Sequence, residues 1–280
     1  MTIDTSTAAT KEIQSILLGA VAPRPIALAG TIDKEGRPNL SPFSFFNAFS
    51  ANPPVLVFSP ARRGTDGTTK DTFENIKEVD EVVINVVTED IVEQASLSSG
   101  NYPKGVNEYE KAGFTALPSE SVKPFRVKES PVQFECKVMD VIELGDQGGA
   151  GNLVICRILK IHINDDILDD QGRIINEKIK LVGRMGGNDY IKAFGNSLFQ
   201  IPKPVSTKGV GIDALPPEIK SSKHLTGNIL ARIGSLEKLP EPKVEVLKNL
   251  KESDFIYAAR LVESGDTEKA VLYLFQGKTI

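Results

Sequence analysis

Strict alternation of apolar and polar residues from Val132 to Val138 is the feature that most narrows the folds open to this chain. Such alternation is typical of a strand with one buried and one solvated face. A second apolar segment, Leu153 to Ile163, follows after a glycine-rich link over residues 146–152. The two segments therefore predict the longest hairpin of an antiparallel sheet.

Other short segments show the same preference for strands. Residues 25–37 predict a strand, a tight turn at Gly36 and the start of a returning strand. The runs 53–60 and 81–87 are apolar and partly β-branched, as core strands are. Because regular strand–helix alternation is missing, the pattern favours an antiparallel β-barrel over a parallel α/β sheet.

Short helices are predicted among these strands, at residues 11–18 and at the segments that begin near Lys70 and Thr88. After Pro202-Lys203-Pro204, helical spacing dominates to the end of the chain, with two or three helices expected. We therefore expect a first domain over residues 1–204 and a helical C-terminal extension over residues 205–280.

Composition excludes several classes of function. The net charge of -4 gives no broad positive field for nucleic acid or an anionic membrane surface. The first residues lack the features of a signal peptide, and no apolar run approaches the roughly 20 residues that span a bilayer. We expect a soluble, cytoplasmic protein without nucleic-acid or membrane partners.

The cysteines and histidines give little support to metal chemistry. Cys136 and Cys156 lie in apolar strand segments without CxxC spacing and are expected to be buried thiols. A disulfide stays open at this stage, because the two segments could pair. His162 and His224 lie in unrelated segments, so neither a metal site nor a Ser-His-Asp triad is predicted.

Four stretches combine polar and aromatic residues in a way that points to chemistry: Pro23 to Ile26, Asn39 to Asn47, Val57 to Pro60 and Lys70 to Asn75. In order and spacing they resemble the flavin reductase-like group of FMN-binding split-barrel proteins. That group includes flavoredoxins and the reductase partners of two-component monooxygenases. The resemblance covers about residues 10–200 and is looser at residues 101–105 and 183–190.

This resemblance implies a mainly β fold, an antiparallel FMN-binding split β-barrel with inserted short helices. The residue types agree, since an isoalloxazine ring needs an apolar slot with a few donors, and a phosphate needs hydroxyls and a cation. The cofactor-binding residues that the resemblance implies are Thr31, Pro42, Phe43, Ser44, Phe46, Asn47, Ser59, Lys70, Asp71, Thr72, Asn101 and Tyr190. Asn101 and Tyr190 would lie near a nicotinamide stacked on the ring.

Each stretch also has a purely structural interpretation. Lys70 to Thr72 could be a helix N-terminus with a solvated lysine, and the phenylalanines at 43–49 could be core. Ser44 and Asn47 favour the flavin interpretation, because burying them unpaired among aromatic rings would cost roughly 1–3 kcal/mol each.

The resemblance implies an oxidoreductase, an NAD(P)H-dependent flavin reductase that acts as a homodimer and passes electrons to a monooxygenase or another acceptor. Flavin chemistry needs no protein nucleophile, so no catalytic residue is predicted. Two alternatives stay open: a non-catalytic, flavoredoxin-like electron carrier, and a split-barrel binding module for another ligand such as heme.

The chain continues for some 75 residues beyond the resemblance, from Val205. This tail has too many apolar residues for a solvated linker. We expect it to fold onto the barrel near the flavin or onto a second subunit, since a segment of this length buries only a marginal core. The alternative is a separate small helical domain hinged at residues 202–204.

Overall fold

The computed structural model describes residues 1–201 and 208–277 of the chain. It divides into two compact units, Met1–Phe199 and Gln200–Ile280. The boundary expected near residue 204 lies outside the described residues.

The first unit is built on an antiparallel sheet of seven strands in the order β2-β1-β5-β8-β9-β4-β3. Two small ladders, β6-β7 and β10-β11, lie beside it. The strands are β1 (Ala27–Ile32), β2 (Pro38–Phe43), β3 (Phe46–Ala51), β4 (Pro54–Phe58), β5 (Glu81–Val86), β6 (Ala116–Leu117), β7 (Arg126–Val127), β8 (Val132–Glu143), β9 (Asn152–Ile163), β10 (Val182–Arg184) and β11 (Tyr190–Lys192). As predicted, β8 and β9 form the longest hairpin.

The two edge strands of the sheet, β2 and β3, are consecutive in the chain and are joined by Ser44 and Phe45 alone. Three Cα steps span at most about 11 Å, so the sheet must curl until its edges nearly meet. Register shifts in β8 and β9, at Glu135/Cys136 and Val138/Asp140, bend the strands in the same way. The predicted split barrel is therefore confirmed, and its opening runs beside the β2–β3 connection.

Strand β1 is buried on both faces, which gives the first unit two apolar layers. Ala27 and Ala29 face the barrel interior and pack with Phe58 and Val154. Leu28, on the opposite face, belongs to a cluster that also holds residues of the helices covering the sheet.

Short helices are inserted between the strands. In the first unit they are α1 (Thr10–Ala20), α2 (Asp71–Glu78), α3 (Val92–Leu97), α4 (Glu108–Ala112) and α5 (Asn176–Ile179). The helices expected at residues 11–18 and after Lys70 and Thr88 are thus confirmed, the last after a 3-10 turn at Glu89–Ile91.

Both cysteines are free and buried, as expected for structural thiols. The strand register pairs Val138 with Cys156 and Cys136 with Ile158, so the thiols do not stand opposite each other. Burial raises the pKa of Cys136 to about 12 and raises that of Cys156 as well. Neither is therefore a thiolate at neutral pH.

The second unit contains more helices than the two or three that the sequence indicated. Its described residues form α6 (Pro217–Lys220), α7 (Gly227–Gly234), α8 (Val244–Asn249), α9 (Glu252–Glu263) and α10 (Thr267–Gln276). A buried cluster drawn entirely from this unit joins them, and includes Ile219, Ile233, Val262, Leu274 and Phe275. No helix in the described part of the chain is long and apolar enough to cross a membrane.

Candidate functional site

A cavity of about 190 Å³ lies at the opening of the barrel, and we call it the seam cavity. Its residues come from the end of β2, from α3 and from the β10–β11 ladder. They are Ile26, Pro42, Phe43, Ser44, Val87, Val92, Ala95, Ser96, Ser99, Arg184 and Tyr190. Phe43 is held in place by the barrel core, because the centroid of its ring lies 5.5 Å from that of Phe58.

A second cavity of about 220 Å³ lies at the N-terminus of α2, and we call it the α2 cavity. Its lining is polar and carries charges of both signs. It consists of Asn39, Ser41, Arg63, Lys70, Asp71, Thr72, Ser98, Ser99, Gly100, Asn101, Tyr102 and Glu108. Because Ser99 lines both cavities, they are neighbours.

Lys70 connects the two cavities. It lines the α2 cavity, while its Nζ lies 5.6 Å from the ring centroid of Phe43, which lines the seam cavity. Burial, and then the like charge of Arg63, lower the pKa of Lys70. Arg63 is held in turn by the Thr69 carbonyl oxygen and by the Thr68 hydroxyl at 3.1 Å.

A buried polar network fixes the hydroxyl of Thr72. Asn39 Nδ2 donates to Thr72 Oγ1 at 2.9 Å and to Thr31 Oγ1 at 3.3 Å, and Asn75 Nδ2 donates to Thr31 at 3.2 Å. Since Thr72 Oγ1 accepts from Asn39, its own O–H is left to donate in another direction. Thr31 lies in this supporting layer and does not line either cavity.

Two carboxyl groups also reach the α2 cavity. Glu108 accepts a hydrogen bond from the backbone N–H of Leu40 at 3.1 Å. Burial, opposed by that hydrogen bond and assisted by the negative charge of Asp71, raises the pKa of Glu108. Carboxylates of this kind can accept hydrogen bonds from ligand hydroxyls, whereas Lys70 and Arg63 attract an anion.

The mouth of the seam cavity carries a stacked pair. The guanidinium carbon of Arg184 lies 4.6 Å from the ring centroid of Tyr190, and Arg184 Nη1 donates to the Asp189 carbonyl oxygen at 3.2 Å. Stacking holds the cation over the ring face. A flat, positively charged surface thus borders this cavity.

The structure brings most of the predicted site residues together. Those in the seam cavity are Pro42, Phe43, Ser44 and Tyr190, and those in the α2 cavity are Lys70, Asp71, Thr72 and Asn101. The last four line one polar surface at the start of α2.

The other predicted residues lie elsewhere. Phe46 packs against the barrel core, and Ser59 Oγ accepts from the backbone N–H of Asn152 at 3.0 Å. Asn47 is exposed on the edge strand β3, so the expectation that it is embedded among aromatic rings is wrong within a single chain. Phe45 and Phe49 are exposed as well.

Some residues that line the cavities were not predicted as cofactor-binding residues: Arg63, Ser99, Glu108 and Arg184. The Ser98-Ser99-Gly100 run before Asn101 and the pair Arg62-Arg63 were weak signals in the sequence. Glu108 gave no local signal, because it reaches the cavity only through the packing of α4 on β2.

The chain belongs to the flavin reductase like family, since residues 19–178 match the family model described as a flavin reductase like domain. Within the described residues, no group of three or more His, Cys, Asp or Glu could hold a metal ion.

Individual proteins agree with this assignment. An uncharacterized protein from Aquifex aeolicus is 39% identical over 189 residues, which are 68% of this chain and 94% of the relative. Nitrilotriacetate monooxygenase component B from Bacillus cereus superposes with a TM-score of 0.67 at 31% identity, covering 72% of this chain and 98% of the other. A Shewanella frigidimarina protein, provisionally described as a flavin reductase with a split barrel domain, gives a TM-score of 0.61 at 26% identity over 72% of this chain and 99% of its own.

Proposed function

We propose that this protein is an FMN-binding oxidoreductase that reduces flavin with NADH or NADPH. The observation that carries the proposal is the pair of neighbouring cavities, one beside Phe43 at the barrel opening and one polar at the start of α2. This pairing matches the two chemically different halves of FMN.

The sizes of the cavities support a ligand that occupies both. Small-molecule sites usually measure about 300–1,000 Å³. Each cavity alone, at about 190 Å³ and about 220 Å³, is below that range, whereas the two together fall within it. Ser99, which lines both, would lie beside the middle of the ligand.

The isoalloxazine ring would lie in the seam cavity against Pro42, Phe43 and Ile26, with the Ser44 hydroxyl at its polar edge. The ribityl chain would pass Ser99, and the phosphate would reach Lys70 and Arg63.

The α2 cavity suits a terminal phosphate. Helix α2 begins there and directs its first N–H groups and the positive end of its dipole toward a bound anion. The Thr72 hydroxyl, with its oxygen occupied by Asn39, can donate to the same phosphate. We propose FMN in preference to FAD because this site provides for one terminal phosphate.

FMN, once bound, would supply the hydride acceptor, so the chain's own residues need only bind, orient and exclude water. A nicotinamide would approach through the mouth of the seam cavity, where Tyr190 and Arg184 form a flat, cationic surface. That surface suits a planar donor carrying phosphates. By analogy with the monooxygenase component from Bacillus cereus, we propose a monooxygenase or a similar acceptor as electron partner.

Purified protein tests these points together. Its visible spectrum and the identity of the released chromophore report the cofactor, and anaerobic addition of NADH and then NADPH reports the donor. We expect bound or readily bound FMN that is bleached by one nicotinamide. Failure to bind FMN would contradict the proposal, and binding without reduction by either nicotinamide would favour a carrier that accepts electrons from a separate reductase.

A further inference from the structure

Arg24 is a buried arginine directly behind the seam cavity, with only 5% of its surface exposed. Its Nη1 donates to the carbonyl oxygens of Leu18 and Val21 at 2.6 Å and 2.7 Å, and its Nη2 to that of Met185 at 2.9 Å. Its Nε donates to Ser44 Oγ at 3.3 Å. One guanidinium thus joins the end of α1, the β10–β11 ladder and the connection at the barrel opening.

The positive charge of Arg24 has no carboxylate partner among residues 1–201 and 208–277, whose ion pairs involve other side chains. Burial, and then the like charge of Arg184, lower the pKa of Arg24. A buried charge without a counter-charge is costly. Carbonyl contacts account for the position of the side chain, but they leave its net charge uncompensated.

Ser44 links this charge to the seam cavity. Among the described residues it is the one side-chain partner of Arg24, and it lines the cavity beside Pro42 and Phe43. Because Ser44 Oγ accepts from Arg24 Nε, its own O–H cannot point at the guanidinium and is available to donate into the cavity.

We propose that Arg24 is a positioning residue for bound flavin: it orients the Ser44 hydroxyl toward the ring, and its uncompensated charge favours the reduced ring over the oxidised one. This inference rests on the proposed function. Hydride transfer from a nicotinamide brings two electrons and one proton to the ring, which gains a negative charge while the nicotinamide becomes the oxidised cation. A nearby buried cation therefore binds the reduced state more strongly.

The test compares the affinities of the full-length protein for oxidised and for reduced FMN, measured anaerobically. In Arg24→Gln we expect the affinity for reduced FMN relative to oxidised FMN to fall about tenfold, which lowers the two-electron potential of the bound flavin by about 30 mV. Arg24→Lys keeps the charge and should keep this ratio within about twofold, while Ser44→Ala should weaken both states alike.

Arg62→Gln is a matched control, because Arg62 also binds carbonyl oxygens but pairs with Glu143 and does not line either cavity. In this variant the affinity for reduced FMN relative to oxidised FMN should not change. An unchanged ratio in Arg24→Gln, or a tenfold loss in Arg24→Lys, would overturn the inference while the proposed function stands. Wild-type protein that binds no FMN would overturn both. If Arg24→Gln does not fold, Arg24→Met, which also removes the charge, takes its place in the same comparison with Arg24→Lys.

Discussion

At the scale of single residues, a substitution of Lys70 distinguishes a phosphate-binding role of this side chain from a merely structural role at the start of α2. Lys70 is half-buried and lines the α2 cavity, and its Nζ lies beside the ring of Phe43. Because a charge-assisted hydrogen bond to a phosphate contributes roughly 1–3 kcal/mol, Lys70→Ala should weaken FMN by about that amount. Riboflavin, which lacks the phosphate, should bind almost unchanged, and titration of flavin fluorescence measures both affinities.

Lys77→Ala is the matched control for this substitution. Lys77 is on the same helix, and its Nζ also lies over a phenylalanine ring, 5.2 Å from the centroid of Phe73, but it does not line the α2 cavity. Its loss should leave both affinities unchanged. An equal loss of FMN and riboflavin affinity in Lys70→Ala would remove Lys70 from the phosphate site.

Glu108 gives a pH-dependent prediction. Burial raises the pKa of this carboxyl above its ordinary 4.5, so the folded state holds the proton more tightly than the unfolded state. The resulting stabilisation is complete below the ordinary pKa and is lost as pH rises through the raised pKa. Glutamine does not titrate.

The free energy of unfolding of Glu108→Gln minus that of wild type should therefore increase as pH rises from the ordinary pKa of 4.5 through the raised pKa of Glu108. Urea unfolding of both proteins at a series of pH values measures this difference. A difference that stays flat or decreases with pH would show that the surroundings do not raise the pKa of Glu108.

At the scale of elements, Gly30 marks a close approach between β1 and the segments that cover it. A Cβ at this position would lie 2.3 Å from Tyr109 Oη and 2.9 Å from the Phe125 carbonyl oxygen. The Tyr109 hydroxyl donates to that same carbonyl oxygen at 2.8 Å, so the neighbours are fixed. Overpacking of this kind typically costs about 1–3 kcal/mol.

Gly30→Ala should lower the free energy of unfolding by that amount, as measured by urea denaturation. Tyr109→Phe removes one of the two clashing atoms, so the double variant should lose less than the sum of the single losses. Gly19→Ala, where a new Cβ meets no atom within 4 Å, is the control and should not destabilise the protein. If the double variant loses the sum of the two single losses in free energy of unfolding, the Tyr109 hydroxyl is not what the new Cβ clashes with.

Strands and helices whose apolar residues recur at a regular spacing could be predicted from the sequence. Alternation over Val132 to Val138 indicated β8 directly. The expected solvated face of this segment is wrong, because Gln133 and Glu135 are buried and are hydrogen-bonded to neighbouring backbone groups. Strand β3 was missed, since its burial does not alternate in a single chain and its residues resemble a ligand-binding loop. Site residues that lie in one segment, as in Lys70 to Thr72, were predicted. Arg63 and Glu108 were not, because only the packing of the chain brings them beside that segment.

At the scale of the whole molecule, the first unit leaves apolar side chains exposed on its strands. Phe49 on β3 is 68% exposed, and Leu159 and Ile161 on β9 are 48% and 49% exposed. We predict a homodimer whose interface covers these side chains.

Light scattering at low micromolar concentration tests the dimer, and Phe49→Asp should shift the equilibrium toward monomer. Ile174→Asp, at an exposed apolar residue just before α5 and outside β3 and β9, should not. A wild-type monomer of about 30.4 kDa with flavin bound would contradict the prediction.

The C-terminal unit has its own buried core, which bears on whether it needs the barrel to fold. Every member of that cluster, from Leu215 to Phe275, belongs to the unit itself. Two glycines allow close packing within it: a Cβ on Gly209 would lie 2.4 Å from the Gly234 carbonyl oxygen. Most of the apolar residues behind the expectation of docking thus find partners inside the unit, although Val244 and Ile256 are exposed. Docking on the barrel stays a prediction.

We predict that residues 200–280, expressed alone, fold into a helical domain that unfolds cooperatively in circular dichroism, because the buried cluster among its described residues includes no residue of the barrel. Ile233→Ala in this fragment should cost about 2–5 kcal/mol, the usual loss for a large buried aliphatic side chain. A fragment without helical signal would show that the unit needs another surface. Ending the chain at Phe199 tests docking separately: an independent domain leaves FMN affinity, oligomeric state and melting temperature unchanged, whereas a docked one predicts loss of solubility or dimerisation, or a flavin more open to oxygen.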